Sequence, residues 1–151
     1  MAHTNRSRVI LGGLLAGLVI NIGEFITNGV FLKDAWAQAM QALGRPSEIP
    51  GSAIVIFNIW GFLLGIASVW LYAAIRPRYN PGVNTALRAA VAVWVMAAFL
   101  PNLGNYALGT VPVRLVVIST IVSLVELVVA TLIGAWLYKE EPAPALRPAT
   151  A

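Results

Sequence analysis

The chain has 151 residues, of which 59% are hydrophobic and only 11% charged. Soluble domains carry about a quarter charged residues, and a mean hydropathy of +0.80 leaves too little polar surface to cover a globule, so the composition points to an integral membrane protein. The net charge is +4, cysteine is absent and the single histidine, His3, stands in the leading tail, which excludes disulfides, thiolate nucleophiles, thiolate metal sites and histidine-ligated haem or copper in the membrane.

Four apolar runs are long enough to cross a bilayer: Val9 to Thr27, Ala53 to Ile75, Leu87 to Leu108 and Val113 to Tyr138. Arg6 and Arg8 give the first the flank of a secretory signal, but it continues through Phe25 and Ile26 without a small-residue cleavage site, so a retained helix is expected. Between the first two spans, Ala35, Trp36, Ala39, Met40 and Leu43 recur at helical spacing beside Lys33, Asp34, Gln38 and Gln41. That pattern predicts a short amphipathic helix at the interface, with an irregular lid over the bundle mouth as the alternative. Residues 1–138 then form one four-helix transmembrane domain of the all-α class, and Lys139 to Ala151, rich in proline and alanine, reads as a disordered tail.

Basic residues set the orientation. Arg6, Arg8, Arg76, Arg78, Arg88, Lys139 and Arg147 fall on one side and Lys33, Arg45 and Arg114 on the other, which predicts both termini in the cytoplasm of a bacterium, with the chain in its inner membrane. Topology accounts for the positive charge, and no basic stripe suggests nucleic acid. Lipid is the expected surrounding, with a homo-oligomer or a larger membrane complex as further partners; no cofactor and no metal are expected.

Two correspondences suggest that the four spans are two parallel helical hairpins. Asn21-Ile22-Gly23-Glu24-Phe25 near the outer end of the first span matches Asn102-Leu103-Gly104-Asn105-Tyr106 in the third, and Trp70-Leu71-Tyr72 matches Trp136-Leu137-Tyr138 at the cytoplasmic ends of the second and fourth. Chance and the ordinary enrichment of aromatics at interfaces are the competing explanation.

Helical spacing gathers small and polar residues into stripes: Gly13, Gly17, Asn21, Glu24 and Asn28; Asn58, Gly61, Gly65, Ser68 and Tyr72; Ser119, Ser123, Glu126, Ala130 and Gly134. In lipid, small residues let backbones approach, so Gly13, Gly17, Gly61, Gly65 and Gly134 are expected at helix contacts. At about 1.5 Å per residue, Glu24 lies about 24 Å from Arg8, near the outer boundary, and Glu126 about 18 Å from Tyr138, near the midplane. A carboxylate at that depth is costly, so Glu126 should face the interior and either find hydrogen-bond partners or bind a proton.

Glu24 is expected to reach water or to pair with Arg114. Asn21, Asn58, Asn102, Asn105 and Ser123 complete a candidate proton or ligand site in the outer half, with interhelical hydrogen bonding as their alternative role. The depth difference speaks against a joint metal site of the two glutamates. Pro101 withholds one helical hydrogen bond and should free the carbonyl of Ala97. No catalytic motif is present: H-E-x-x-H, G-x-S-x-G, a Walker loop and a dinucleotide fingerprint are all missing.

With its glycine-rich first span, the outer segment carrying Trp36 and Met40, and the closing Gly134-Ala135-Trp136-Leu137-Tyr138, the chain resembles the small four-helix integral membrane proteins of bacteria grouped as domains of unknown function. The resemblance implies the fold and no activity. Small multidrug exporters share a first-span glutamate, but theirs lies deeper. Membrane glutathione-conjugating enzymes would need an arginine-rich site near the second span, whereas Arg76 and Arg78 lie past its end. Three functions remain: a small-solute or proton-linked binding or transport module, an accessory subunit of a membrane complex, and, least supported, an enzyme acting on lipid or quinone.

Overall fold

A computed structural model describes residues Thr4 to Lys139; His3 and the predicted tail beyond Lys139 lie outside the described residues. Helix α1 spans Arg6–Phe31, α2 Lys33–Ala42, α3 Gly51–Tyr79, α4 Val83–Leu108 and α5 Val113–Leu137. All but α2 are long and apolar enough to cross a membrane, so the chain is an all-α, four-helix membrane bundle. The helices outrun the apolar windows because polar ends continue them into the interfaces: Asn5 caps α1 by accepting from the Arg8 backbone N–H at 3.1 Å, and Arg76 and Arg78 occupy the last turn of α3, where cations suit the helix dipole.

Two odd-numbered spans depart from regular α geometry. Helix α1 is π-helical from Phe25 to Phe31, where the Leu32 N–H reaches back to the Thr27 carbonyl at 2.8 Å. Helix α4 is π-helical from Val95 to Phe99, directly before Pro101. The proline ring cannot pair with the Ala97 carbonyl, and a locally widened register is how a helix absorbs that gap. Helix α4 ends at Gly109, whose φ of 63° provides the left-handed cap.

Successive spans run antiparallel. Helix α1 packs most extensively on α3 and then on α5, α4 packs on α5 and α3, and α1 and α4 take opposite corners. Glycine makes these approaches close. A Cβ on Gly13 would lie 2.5 Å from the Ile66 Cα, one on Gly17 2.6 Å from the Phe62 Cα, and one on Gly12 2.5 Å from the Gly134 carbonyl. Gly65 faces the backbone of Gly13 and Gly17, Gly61 the Asn21 amide, and Gly134 the Val69 side chain. Lipid tails are as apolar as leucine, so dispersion across such backbone contacts, rather than burial from water, holds the helices together.

The two ends of the bundle differ. At the basic end Val9, Ala16, Val69, Tyr72, Ala73, Ala86, Ala89, Ala130 and Tyr138 form a closed core, and the Tyr72 and Tyr138 rings meet edge-to-face at 6.0 Å. These tyrosines are the equivalent third positions of the two aromatic trios, and the equivalent first positions, Trp70 and Trp136, both face outward. Toward the other end the same faces lose their cover. Ala16 and Ile20 are buried on α1, while Glu24, the next position on that face, is exposed; on α3 every residue from Ile54 to Trp60 is exposed. The bundle is closed at the base and open at the mouth.

Candidate functional site

Glu126 and Glu24 stand at the floor of that mouth. A Cβ on Gly23 would lie 2.7 Å from Glu126 Oε1, so the glycine makes the space in which the α5 carboxyl rests against α1. Thr27, one turn beyond Gly23, donates its hydroxyl to Glu126 Oε1 at 3.2 Å. Glu24, the residue after Gly23, is near enough for its carboxyl to act electrostatically on that of Glu126. On its other side, Asn28 donates through Nδ2 to Glu24 Oε2, and Trp36 of α2 donates its indole N–H to Asn28 Oδ1 at 2.8 Å. A continuous polar chain thus runs from the short helix through Asn28 and Glu24 to Glu126.

The depth argument from sequence separated these glutamates, and the structure brings them together. Side chains on a helix tilt toward its N-terminus. In antiparallel α1 and α5 that tilt sends Glu24 inward and Glu126 outward, which closes the several ångströms between their backbones. The expected pairing of Glu24 with Arg114 is not formed: Glu24 is engaged by Asn28 and Glu126, and among the described residues no ion pair joins it to Arg114.

The other predicted site residues fall into separate clusters. Asn21 donates to the carbonyls of Gly17 at 2.9 Å and Asn58 at 3.2 Å, tying α1 to α3. Asn58 contributes its backbone oxygen there, while its own side chain turns back to the Ile54 carbonyl at 2.8 Å. Asn102 donates to Thr120 Oγ1 at 2.9 Å and Ser119 Oγ at 3.4 Å, tying α4 to α5, so the matching asparagines of the two hairpins play matching parts. Asn105 accepts from Thr110 Oγ1 at 3.2 Å through both its backbone and side-chain oxygens and closes the α4–α5 turn. Ser123 donates to the Thr120 carbonyl at 3.0 Å.

Family models, curated proteins and solved structures offer no match to this chain. What it can do is therefore carried by its own geometry. Two apposed carboxyls with a hydroxyl and an amide behind them can share a proton or hold a cation. No group of three or more acidic, histidine or cysteine side chains is gathered among the described residues. A groove of about 380 Å³ opens between α4 and α5 at the mouth; Asn102 and Thr120 stand in a wall otherwise made by residues such as Phe99, Leu103, Tyr106 and Val117.

Thr27, Asn28 and Trp36 are the members that sequence reasoning left off the site. Asn28 already lay on the Glu24 stripe, and Thr27 is four residues past Gly23, so extending the stripes one turn finds both. Trp36 had no such signal, because its place depends on how α2 folds back after the π-helical end of α1.

Proposed function

We propose that the protein is a proton- or cation-linked binding module for a small solute, with the Glu24–Glu126 pair as its working centre and the open mouth as its approach. The observation that supports this reading most directly is the Glu126 carboxyl resting against Gly23 and Thr27 of α1, beside the Glu24 carboxyl. A purely structural bundle gains nothing from that juxtaposition, since a half-buried acid beside a second carboxyl is stabilised by a proton or a positive ligand. Solute entering from the mouth and a proton leaving the pair would be coupled by competition for the same oxygens. In this reading the chain sits in a bacterial inner membrane with both termini in the cytoplasm and the mouth facing outward. A reporter at the C-terminus is then expected inside, and a tag between Ser47 and Ser52 outside.

The decisive experiment is reconstitution in vesicles with proton release measured while candidate organic and inorganic cations are added. The native chain should release protons on binding. Glu126→Gln and Glu24→Gln, which keep shape and hydrogen-bonding capacity, should remain folded and release none. A Glu126→Gln chain that releases protons as the native chain does would eliminate the pair as the coupling group.

The second reading, a subunit of a homo-oligomer or a larger membrane complex, is favoured by one feature. The part of α3 from Ile54 to Trp60 is exposed residue by residue, with, among the described residues, only the Asn21–Asn58 hydrogen bond tying it to α1, as a helix awaiting a neighbour would be. Enzymatic action on a lipid or quinone has no comparable support.

A further inference from the structure

At the opposite end from the carboxyl pair, a groove of about 540 Å³ is lined by Thr4, Arg6, Val9, Ile10 and Trp70. We propose that it binds one anionic phospholipid of the adjoining leaflet, with the phosphate on Arg6 and an acyl chain along Ile10 and Trp70. The lining is graded along the helix axis. Thr4 and Arg6 flank the α1 cap Asn5, Val9 and Ile10 lie about one turn further in, and Trp70 stands across the groove on α3. Ile10 and Trp70 are 51% and 56% exposed, so an apolar wall is available next to a guanidinium. Tryptophan prefers the level of the lipid headgroups, which places Arg6 at phosphate height.

The charge distribution at this end selects an anion. Arg6, Arg8, Arg76, Arg78, Arg88 and Lys139 gather here, while the acidic residues within the described part, Glu24, Asp34, Glu48 and Glu126, all lie elsewhere; Glu140 and Glu141 follow in the sequence, outside it. Arg88 is stacked over the Tyr79 ring at 4.4 Å and Arg76 lies 5.5 Å from the Tyr138 ring, so these two already have aromatic partners, whereas Arg6 is exposed in the groove wall. A guanidinium forks onto phosphate oxygens. A free phosphate ion would leave the apolar wall unused, and a zwitterionic headgroup brings its own cation, which cancels the attraction of the basic end.

The inference is independent of the carboxyl pair and is tested with the full chain in phosphatidylcholine vesicles containing a small fraction of brominated lipid. Bromine quenches tryptophan at contact, and subtracting the signal of Trp70→Phe isolates Trp70. Brominated phosphatidylglycerol should quench Trp70 at least twofold more than brominated phosphatidylcholine at equal fraction. The preference should vanish in Arg6→Gln, persist in Arg6→Lys and persist in Arg88→Gln, which removes a basic residue of the same end outside the groove. Equal quenching by the two lipids would overturn the proposal, as would a preference that survives Arg6→Gln. Equal loss in Arg88→Gln would mean diffuse surface charge in place of a site, and displacement by inorganic phosphate would mean a free-anion site.

Discussion

The base and the mouth of this bundle are built from the same four helices but by opposite rules. In the base, glycine and alanine bring backbones into contact, and side chains such as Val69 and Leu127 fill what is left. In the mouth the faces that continue those stripes carry Glu24, Asn28, Glu126 and Asn102, and polar side chains rather than backbones link the helices. Close packing and an embedded polar site compete for the same face: a glycine that admits a neighbouring backbone cannot also hold a functional group there. Gly23 marks the changeover. It still makes room, but for the Glu126 carboxyl and not for a backbone.

The sharpest way to break the comparison is to fill a backbone contact in the base. Gly65→Leu would drive a branched side chain into the backbone of Gly13 and Gly17, and main chain cannot yield as a side chain tip can. The expected loss is about 3 kcal/mol or more, at the upper end of overpacking costs, seen as failure to fold or a large drop in thermal midpoint. Gly104→Leu is the matching change in the mouth, where a Cβ meets nothing within 4 Å, and should stay within about 0.5 kcal/mol. Gly82, between α3 and α4, would not serve as a control, because its φ of 139° strains any side chain placed there. Equal damage at Gly65 and Gly104 would mean that base and mouth are packed alike.

A smaller effect separates two faces of one helix. Leu127 is 4% exposed in the base core, whereas Val125, two residues away, is 58% exposed on the outside. Leu127→Ala should cost about 2–3 kcal/mol, mainly through the cavity it leaves, and Val125→Ala less than about 0.5 kcal/mol. Unfolding in a mild detergent, followed by circular dichroism, would measure both. Comparable losses would place Val125 against another chain and favour the subunit reading.

The spans were legible in the sequence because apolar run length is a direct consequence of bilayer thickness, and the π-helical turn before Pro101 follows from a missing N–H. The glutamate pair was not. Depth counted along two separate helices ignores the N-terminal tilt of side chains, which here acts in opposite senses on Glu24 and Glu126. Arg114 looked like a partner because it stands at the same end of the bundle, but the contact is decided by which helix face each residue occupies, and Glu24 continues the face of Ala16 and Ile20, where Asn28 engages it. The role of Trp36 depended on the fold-back of α2, for which the sequence offers only an amphipathic pattern.

The finest test asks whether the polar chain from Trp36 to Glu126 acts as one unit or as separate hydrogen bonds. Trp36→Phe removes the indole N–H that Asn28 accepts while keeping an aromatic ring, and by itself should cost about 1 kcal/mol, the net value of one hydrogen bond. Glu126→Gln keeps the acceptor for Thr27 and removes the shared acid. If Asn28 and Glu24 transmit the contact, the two changes are not additive, and a double-mutant cycle on thermal stability should give a coupling of about 0.5–1 kcal/mol even though the two side chains do not touch. The physical reason is orientation: Trp36 fixes Asn28, Asn28 fixes Glu24, and Glu24 sets how Glu126 can share a proton. Strict additivity would leave α2 as a passive interfacial helix. A coupling within that range would make it the part of the mouth that senses the state of the carboxyl pair.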